Sequence, residues 1–177
     1  MKSVVVGVSD CRFSEQPETT LVTYALGSCI AVSIYDPVLK IGGLLHYMLP
    51  EASLHGAKAQ QNPFMFADSG IPAMLRGLLA KGLSLRRSSV KLAGGARVMD
   101  PAGVFEIGHR NYLAAKKILW KEGLLVSGEA VGGEVSRTVR LDVTNGKFFV
   151  REAGGSDFEL TNTARGVTNG PSGSNRR

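Results

Sequence analysis

Ile30-Ala31-Val32-Ser33-Ile34-Tyr35, then Asp36-Pro37-Val38-Leu39-Lys40, then Ile41-Gly42-Gly43-Leu44-Leu45-His46-Tyr47-Met48: this stretch decides the fold. The first run is rich in β-branched and aromatic residues, which suit a pleated, packed surface. The middle segment opens on Asp-Pro, a turn signal, because the Asp side chain bonds the backbone ahead of it and Pro presets φ. Two apolar runs joined by so short a link predict an antiparallel hairpin. A loop over Asp36–Leu39 sets Cys29 opposite His46, and directly opposed residues share a face with Cα atoms ~4.5–5.5 Å apart. A loop one residue longer turns His46 to the other face. A Cys29 just outside the strand escapes the alternation altogether.

Immediately before the hairpin stands Thr23-Tyr24-Ala25-Leu26-Gly27-Ser28-Cys29. A cysteine after a Gly-Ser step, with a histidine across a hairpin, is the minimal apparatus for thiol nucleophilic catalysis. An unperturbed thiol has a pKa of ~8.5 and is only a few per cent thiolate at neutral pH. An adjacent imidazole takes its proton and later protonates a leaving group. The chain has 3 histidines and 2 cysteines, so few other pairings compete. Thr23 reads two ways, as a strand threonine favoured for its β propensity or as the group that orients His46. Spacing does not separate the two.

At 177 residues the length predicts one domain, over residues 1–160, with a basic, disordered tail over 161–177. The hydrophobic share is 44% and the mean hydropathy is near zero, as in an ordinary globule. The 22 glycines favour an α/β or β-rich fold over a helical bundle. The start, Met1-Lys2-Ser3-Val4-Val5-Val6-Gly7-Val8, is too short an apolar run for a secretory signal. The longest stretch without Lys, Arg, Asp or Glu, Thr19–Tyr35, approaches the ~17 residues of a membrane helix. Its threonines, Gly27, Ser28 and β-branched pattern suit strands instead. The expected compartment is the cytoplasm, with both cysteines reduced. The cysteines lack the spacing of a zinc site, and no cofactor is expected. The net charge of +6, from 21 basic and 15 acidic residues, serves solubility or attraction to an acidic partner surface. Nucleic acid is not an expected partner, because the basic residues are scattered and no aromatic platform interleaves them.

Lys2–Val8 and Leu21–Ala25 read as strands before the hairpin, and Glu51–Pro63 as a polar loop. A helix from Asp68 or Ser69 to about Lys81 carries Met74, Leu75, Leu78 and Leu79 as its buried stripe, with Gly82 ending it. Val90–Ala93 is a strand entering Gly94-Gly95. Arg110–Glu122 is a helix with Leu113, Ala114, Ile118 and Leu119 at helical spacing. Leu124–Val131, Ser136–Val143 and Lys147–Arg151 are strands, the last two joined at an Asn145-Gly146 turn. No internal repeat is evident.

Cys11, before Pro17, reads as an incidental surface or half-buried cysteine, and His55 as a solvated loop residue. His109 reads as a neutral imidazole lining a helix start. Gly94-Gly95-Ala96-Arg97 lacks the endings of a P-loop or a dinucleotide motif, so a tight loop bordering the active cleft is the better reading.

Thr23-x-x-x-Gly27-Ser28-Cys29, Tyr35-Asp36-Pro37, Gly42-Gly43 and His46-x-Met48-Leu49-Pro50 together resemble the chemoreceptor glutamine deamidase family, CheD. Lys91-Leu92-Ala93-Gly94-Gly95-Ala96 and Ile107-Gly108-His109-Arg110-Asn111 extend the likeness, as do Gly132-Gly133 through Arg137 and Thr144-Asn145-Gly146-Lys147. It covers about residues 3–155. The resemblance implies an α/β fold, a sandwich of mixed sheets flanked by helices and related to deamidating bacterial toxins. It implies a triad of Cys29 as nucleophile, His46 as base and Thr23 as the orienting residue. It further implies a glutamine of a methyl-accepting chemotaxis receptor as substrate and the CheC phosphatase as a partner, for a monomeric protein. Gly27, Ser28, Gly94 and Gly95 are the candidates for the substrate and oxyanion loop. The rival readings are another thiol hydrolase, such as an esterase or peptidase, and a non-catalytic adaptor for CheC.

Overall fold

Two mixed sheets of five strands each carry the fold, in a computed structural model that describes residues 1–53, 56–98 and 106–162. The strands are β1 (Lys2–Val5), β2 (Asp10–Ser14), β3 (Thr19–Leu26), β4 (Ile30–Asp36), β5 (Ile41–Tyr47), β6 (Ser89–Gly94), β7 (Val126–Val131), β8 (Arg137–Asp142), β9 (Phe148–Glu152) and β10 (Asp157–Glu159). The α-helices are α1 (Gly56–Gln61), α2 (Ala67–Ala80) and α3 (Ile107–Lys121). One sheet runs β1-β3-β8-β9-β10 and the other β2-β5-β4-β6-β7. The pairs β1–β3 and β6–β7 are parallel and the rest antiparallel.

Every residue of β4 and β5 is buried, because the second sheet is covered on both faces. Its inner face, with Ala31, Tyr35, Leu44 and Ala93, packs on Leu21, Val139, Leu141 and Phe148 of the first sheet or its turns. Its outer face, with Ile30, Val32, Ile34 and Leu45, packs on Ile71, Met74 and Leu78 of α2 and on Ala115 and Leu119 of α3. This double cover is why both strands read as near-continuous apolar runs rather than alternations. Gly42 and Gly43 sit in this sandwich where side chains would collide. A Cβ on Gly42 would lie 2.8 Å from Leu141 Cδ2, and one on Gly43 2.9 Å from Phe13 Cδ1.

The hairpin forms, with a register unlike either expectation. Asp36 pairs with Ile41, so the turn spans Pro37–Lys40 and His46 lies opposite Ala31. The cause is Asp36. Its buried carboxylate accepts from the Val38 and Leu39 amides at 3.0 and 3.4 Å and from Arg87 Nε at 2.7 Å. Asp36 therefore ends the strand instead of opening the loop. Lys40, at φ 52°, closes the turn. The register moves by two residues relative to the Cys29–His46 pairing, so the side chains keep the faces that pairing gave them.

Other elements differ from the reading of the sequence. The polar stretch after Glu51 contains α1. Cys11, expected at the surface or half-buried, lies in β2, which pairs along β5 and buries it in the core. In α2, Leu79 is exposed while Ala67, Gly70 and Ile71 join the buried stripe. In α3 the buried residues are Gly108, Asn111, Ala115 and Leu119, and Leu113 faces outward. His55, and the tail from Thr163 on, lie outside the described residues.

Candidate active site

Thr23 closes the regular part of β3. Its register against β8 slips between Thr23 and Leu26, a bulge at Tyr24-Ala25 that places Ala25 at φ 55°. Such bulges turn a strand end and re-aim its side chains. Thr23 is thereby fixed on the inner face of the first sheet, buried. His46, on the inner face of the second sheet, is fully buried. Thr23 Oγ1 and His46 Nδ1 are 2.8 Å apart, so one hydrogen bond spans the two sheets. When Nδ1–H donates to Thr23, Nε2 keeps its lone pair and is available as a base. Nε2 is buried and, among the described residues, has no hydrogen-bond partner.

Cys29 lies just before β4, half-buried, with its side chain packed against the cluster between the sheets. Strand alternation carried back from Ala31 agrees and sets it diagonally from His46, on the same face. No hydrogen bond joins its sulfur to the imidazole. The Gly27–Cys29 loop is held from two directions. Gly95 N–H donates to Cys29 O and Ala96 N–H to Gly27 O, each at 2.8 Å. Gly94 has φ +110°, and a Cβ there would sit 2.2 Å from Cys29 O. Gly94 and Gly95 therefore brace the loop that carries Cys29.

The second brace was not anticipated. Asn111, buried in α3, donates through Nδ2 to Ser28 O at 2.9 Å and to Met48 O at 2.7 Å. Its own backbone carbonyl accepts from Tyr47 Oη at 2.5 Å. One amide thus ties the loop before Cys29 to the strand end after His46. The signal was present in the spacing, since Gly108, Asn111, Ala115 and Leu119 make one helical stripe. A polar residue on a buried stripe needs a partner.

Burial governs the electrostatics. It raises the Cys29 thiol pKa, against which the residue's own backbone N–H works. It pushes His46 down to about 4. Thr23 is neutral and does not favour the imidazolium, as a carboxylate would. The pair therefore rests as neutral thiol and neutral imidazole. Cys11 is pushed well up by burial and by the Asp10 charge, which makes it the inert cysteine. His109 is exposed on the first turn of α3. It borders a cavity of about 420 Å³ with Gly95, Arg97 and Tyr112. Among the described residues no group of His, Cys, Asp and Glu is placed to hold a metal ion.

A family model described as CheD chemotactic sensory transduction matches residues 48–152. This chain belongs to the CheD family. It is 54% identical over 154 residues to "Probable chemoreceptor glutamine deamidase CheD" of Solibacter usitatus, spanning 87% of this chain and 91% of that one. It is 49% identical over 160 residues to "Probable chemoreceptor glutamine deamidase CheD 1" of Syntrophus aciditrophicus, spanning 90% and 100%. A relative of the same name from Pyrococcus horikoshii is 38% identical over 154 residues, spanning 86% and 93%. The matched CheD model begins downstream of Thr23, Cys29 and His46. Among the described residues, no helix is long and apolar enough to cross a membrane.

Proposed function

We propose that this chain is a chemoreceptor glutamine deamidase working through Cys29, His46 and Thr23. The observation that carries the reading is His46, held by Thr23 at Nδ1, its buried Nε2 unpartnered among the described residues, with Cys29 placed diagonally on the same face. The names of relatives at up to 54% identity supply the substrate class.

The chemistry follows from a neutral resting pair. His46 Nε2 takes the thiol proton as sulfur attacks the glutamine Cδ. The tetrahedral oxyanion is met by the backbone N–H of Cys29, with the Gly27–Ser28 and Gly94–Gly95 segments forming the surrounding wall. The C–N bond breaks, and the protonated imidazole gives its proton to the leaving ammonia. Water, deprotonated by His46, then hydrolyses the thioester. The balance is amide plus water to carboxylate plus ammonium. On a receptor helix this adds a negative charge and creates a methylatable carboxylate.

Residues 1–160 act as one catalytic unit, related to the deamidating toxins, in a monomeric cytoplasmic protein that also binds CheC. Purified chemoreceptor incubated with this chain should release ammonia and gain the mass of amide-to-acid conversion at defined glutamines. Cys29→Ala should abolish both while folding normally. Ester or peptide hydrolysis without ammonia release would favour the other thiol hydrolases. Full regulation of CheC by an inactive Cys29→Ala would favour the adaptor.

A further inference from the structure

Away from the thiol, at the far end of the second sheet, a cavity of about 520 Å³ opens beside Tyr35, Arg86, Arg87, Ser89 and Lys91. Tyr35 is ~20 Å along β4 from Cys29 at the usual strand rise. The volume lies within the ~300–1,000 Å³ of small-molecule sites.

Lys91 is the unusual member. It is 6% exposed, on the inner face of β6 shared with Ala93. Among the described residues it has no hydrogen-bond or ion-pair partner. Burying an unpaired ammonium costs stability that an apolar residue there would not. Burial lowers its pKa, and the Glu159 charge opposes this, but the Glu159 carboxylate is engaged by Lys147 at 3.2 Å. Arg86 is also unpaired among the described residues. Arg87 gives only Nε to Asp36, which leaves its terminal N–H groups for a ligand. Among the described residues, no Asp or Glu lines the cavity.

We propose that this cavity binds a compact multivalent oxyanion, a phosphate or diphosphate group, between Lys91, Arg86 and Arg87. Three cations around a recess without carboxylates suit that charge, and guanidinium N–H pairs suit its tetrahedral oxygens. Ser89 and Asn162 add neutral polar groups at the rim. The site stands apart from the deamidase reading and does not depend on it.

The test is titration of the full chain with inorganic pyrophosphate at fixed ionic strength, followed by amide NMR shifts and calorimetry. Saturable shifts are expected at Ser89, Lys91 and Gly146, with sulfate and chloride much weaker. Arg86→Ala changes an exposed side chain and should keep the fold. It should weaken binding about tenfold, the value of one charge-assisted contact. Lys91→Met should abolish binding, and Cys29→Ala should leave it unchanged. Equal affinity in Arg86→Ala and wild type would overturn the proposal. So would shifts scattered over the basic surface, or no saturable binding.

Discussion

His46 is buried neutral, which ties the stability of the chain to pH. Its folded pKa of about 4 lies below the ordinary 6.5, so between these values the unfolded chain binds the extra proton. This contribution is complete above about 6.5 and is lost as pH falls to about 4, roughly 3 kcal/mol in all. Urea unfolding across that range should show the slope, and His46→Gln should flatten it. Asp36 titrates separately. Burial pushes its pKa up, but Arg87 and the Ser84, Val38 and Leu39 amides outweigh this and hold it at about 2. Its contribution fades only below the ordinary carboxylate range. The thiol offers a second check. Burial raises its pKa, so iodoacetamide labelling of Cys29 should climb only at alkaline pH. An inflection near neutrality would show a preformed thiolate–imidazolium pair instead. Asn111 is the third residue to test. Asn111→Ala removes the two bonds that tie Ser28 and Met48, and should cost about 2–3 kcal/mol of stability. It should lower kcat more than it raises KM, because it misplaces the reacting pair without touching substrate. An unchanged kcat at temperatures where the variant is folded would reduce Asn111 to a structural role.

At the scale of elements, two backbone positions near the thiol should respond in opposite directions. Gly94→Ala puts a methyl group into Cys29 O at a positive φ, and should destabilise by roughly 3 kcal/mol or more and silence the site. Ala25→Gly relieves a left-handed residue in the β3 bulge. It should be neutral or stabilising by up to ~1 kcal/mol. Thermal unfolding of the two variants decides both. These elements also show what the sequence could tell. The apolar runs of β4 and β5 and the periodic residues of α2 declared themselves, because burial on two faces leaves an unbroken record. The hairpin register did not, because it turns on whether Asp36 faces the loop or Arg87, a partner 51 residues away. β2 was missed because Asp10, Arg12 and Ser14 mask Cys11 and Phe13 in a five-residue strand. Cys29 and His46 stood out in the sequence because thiols and imidazoles are few in this chain; the receptor assays test whether they act together. Asn111 carried a signal, a polar residue on a buried helical stripe, but its partners at Ser28 and Met48 come together only after α3 docks.

For the whole molecule, the net charge of +6 bears on encounter with substrate. Basic residues spread over the surface raise association with an acidic helix bundle and are screened by salt, with a Debye length of ~8 Å at physiological ionic strength. Receptor turnover should fall as salt rises from low to physiological levels, through kcat/KM and not kcat. Free glutamine should be a poor substrate, since a receptor supplies affinity through a broad contact surface that a single amino acid lacks. Efficient turnover of free glutamine, measured as ammonia release, would contradict a protein-scale recognition surface.

The bond between Thr23 and His46 has a consequence in time as well as in space. The two residues are only 23 positions apart, and Cys29 lies between them, so a ribosome has made all three residues of the proposed triad early in translation. Yet the strand that holds Thr23 has β8 as its neighbour, and the carbonyl at Ser28 waits for Asn111. A nascent chain ending before Asn111 has all three residues but lacks both the strand beside Thr23 and the amide that holds Ser28. On the proposed mechanism, the thiol and its base are brought into place only when the later half of the chain has been delivered.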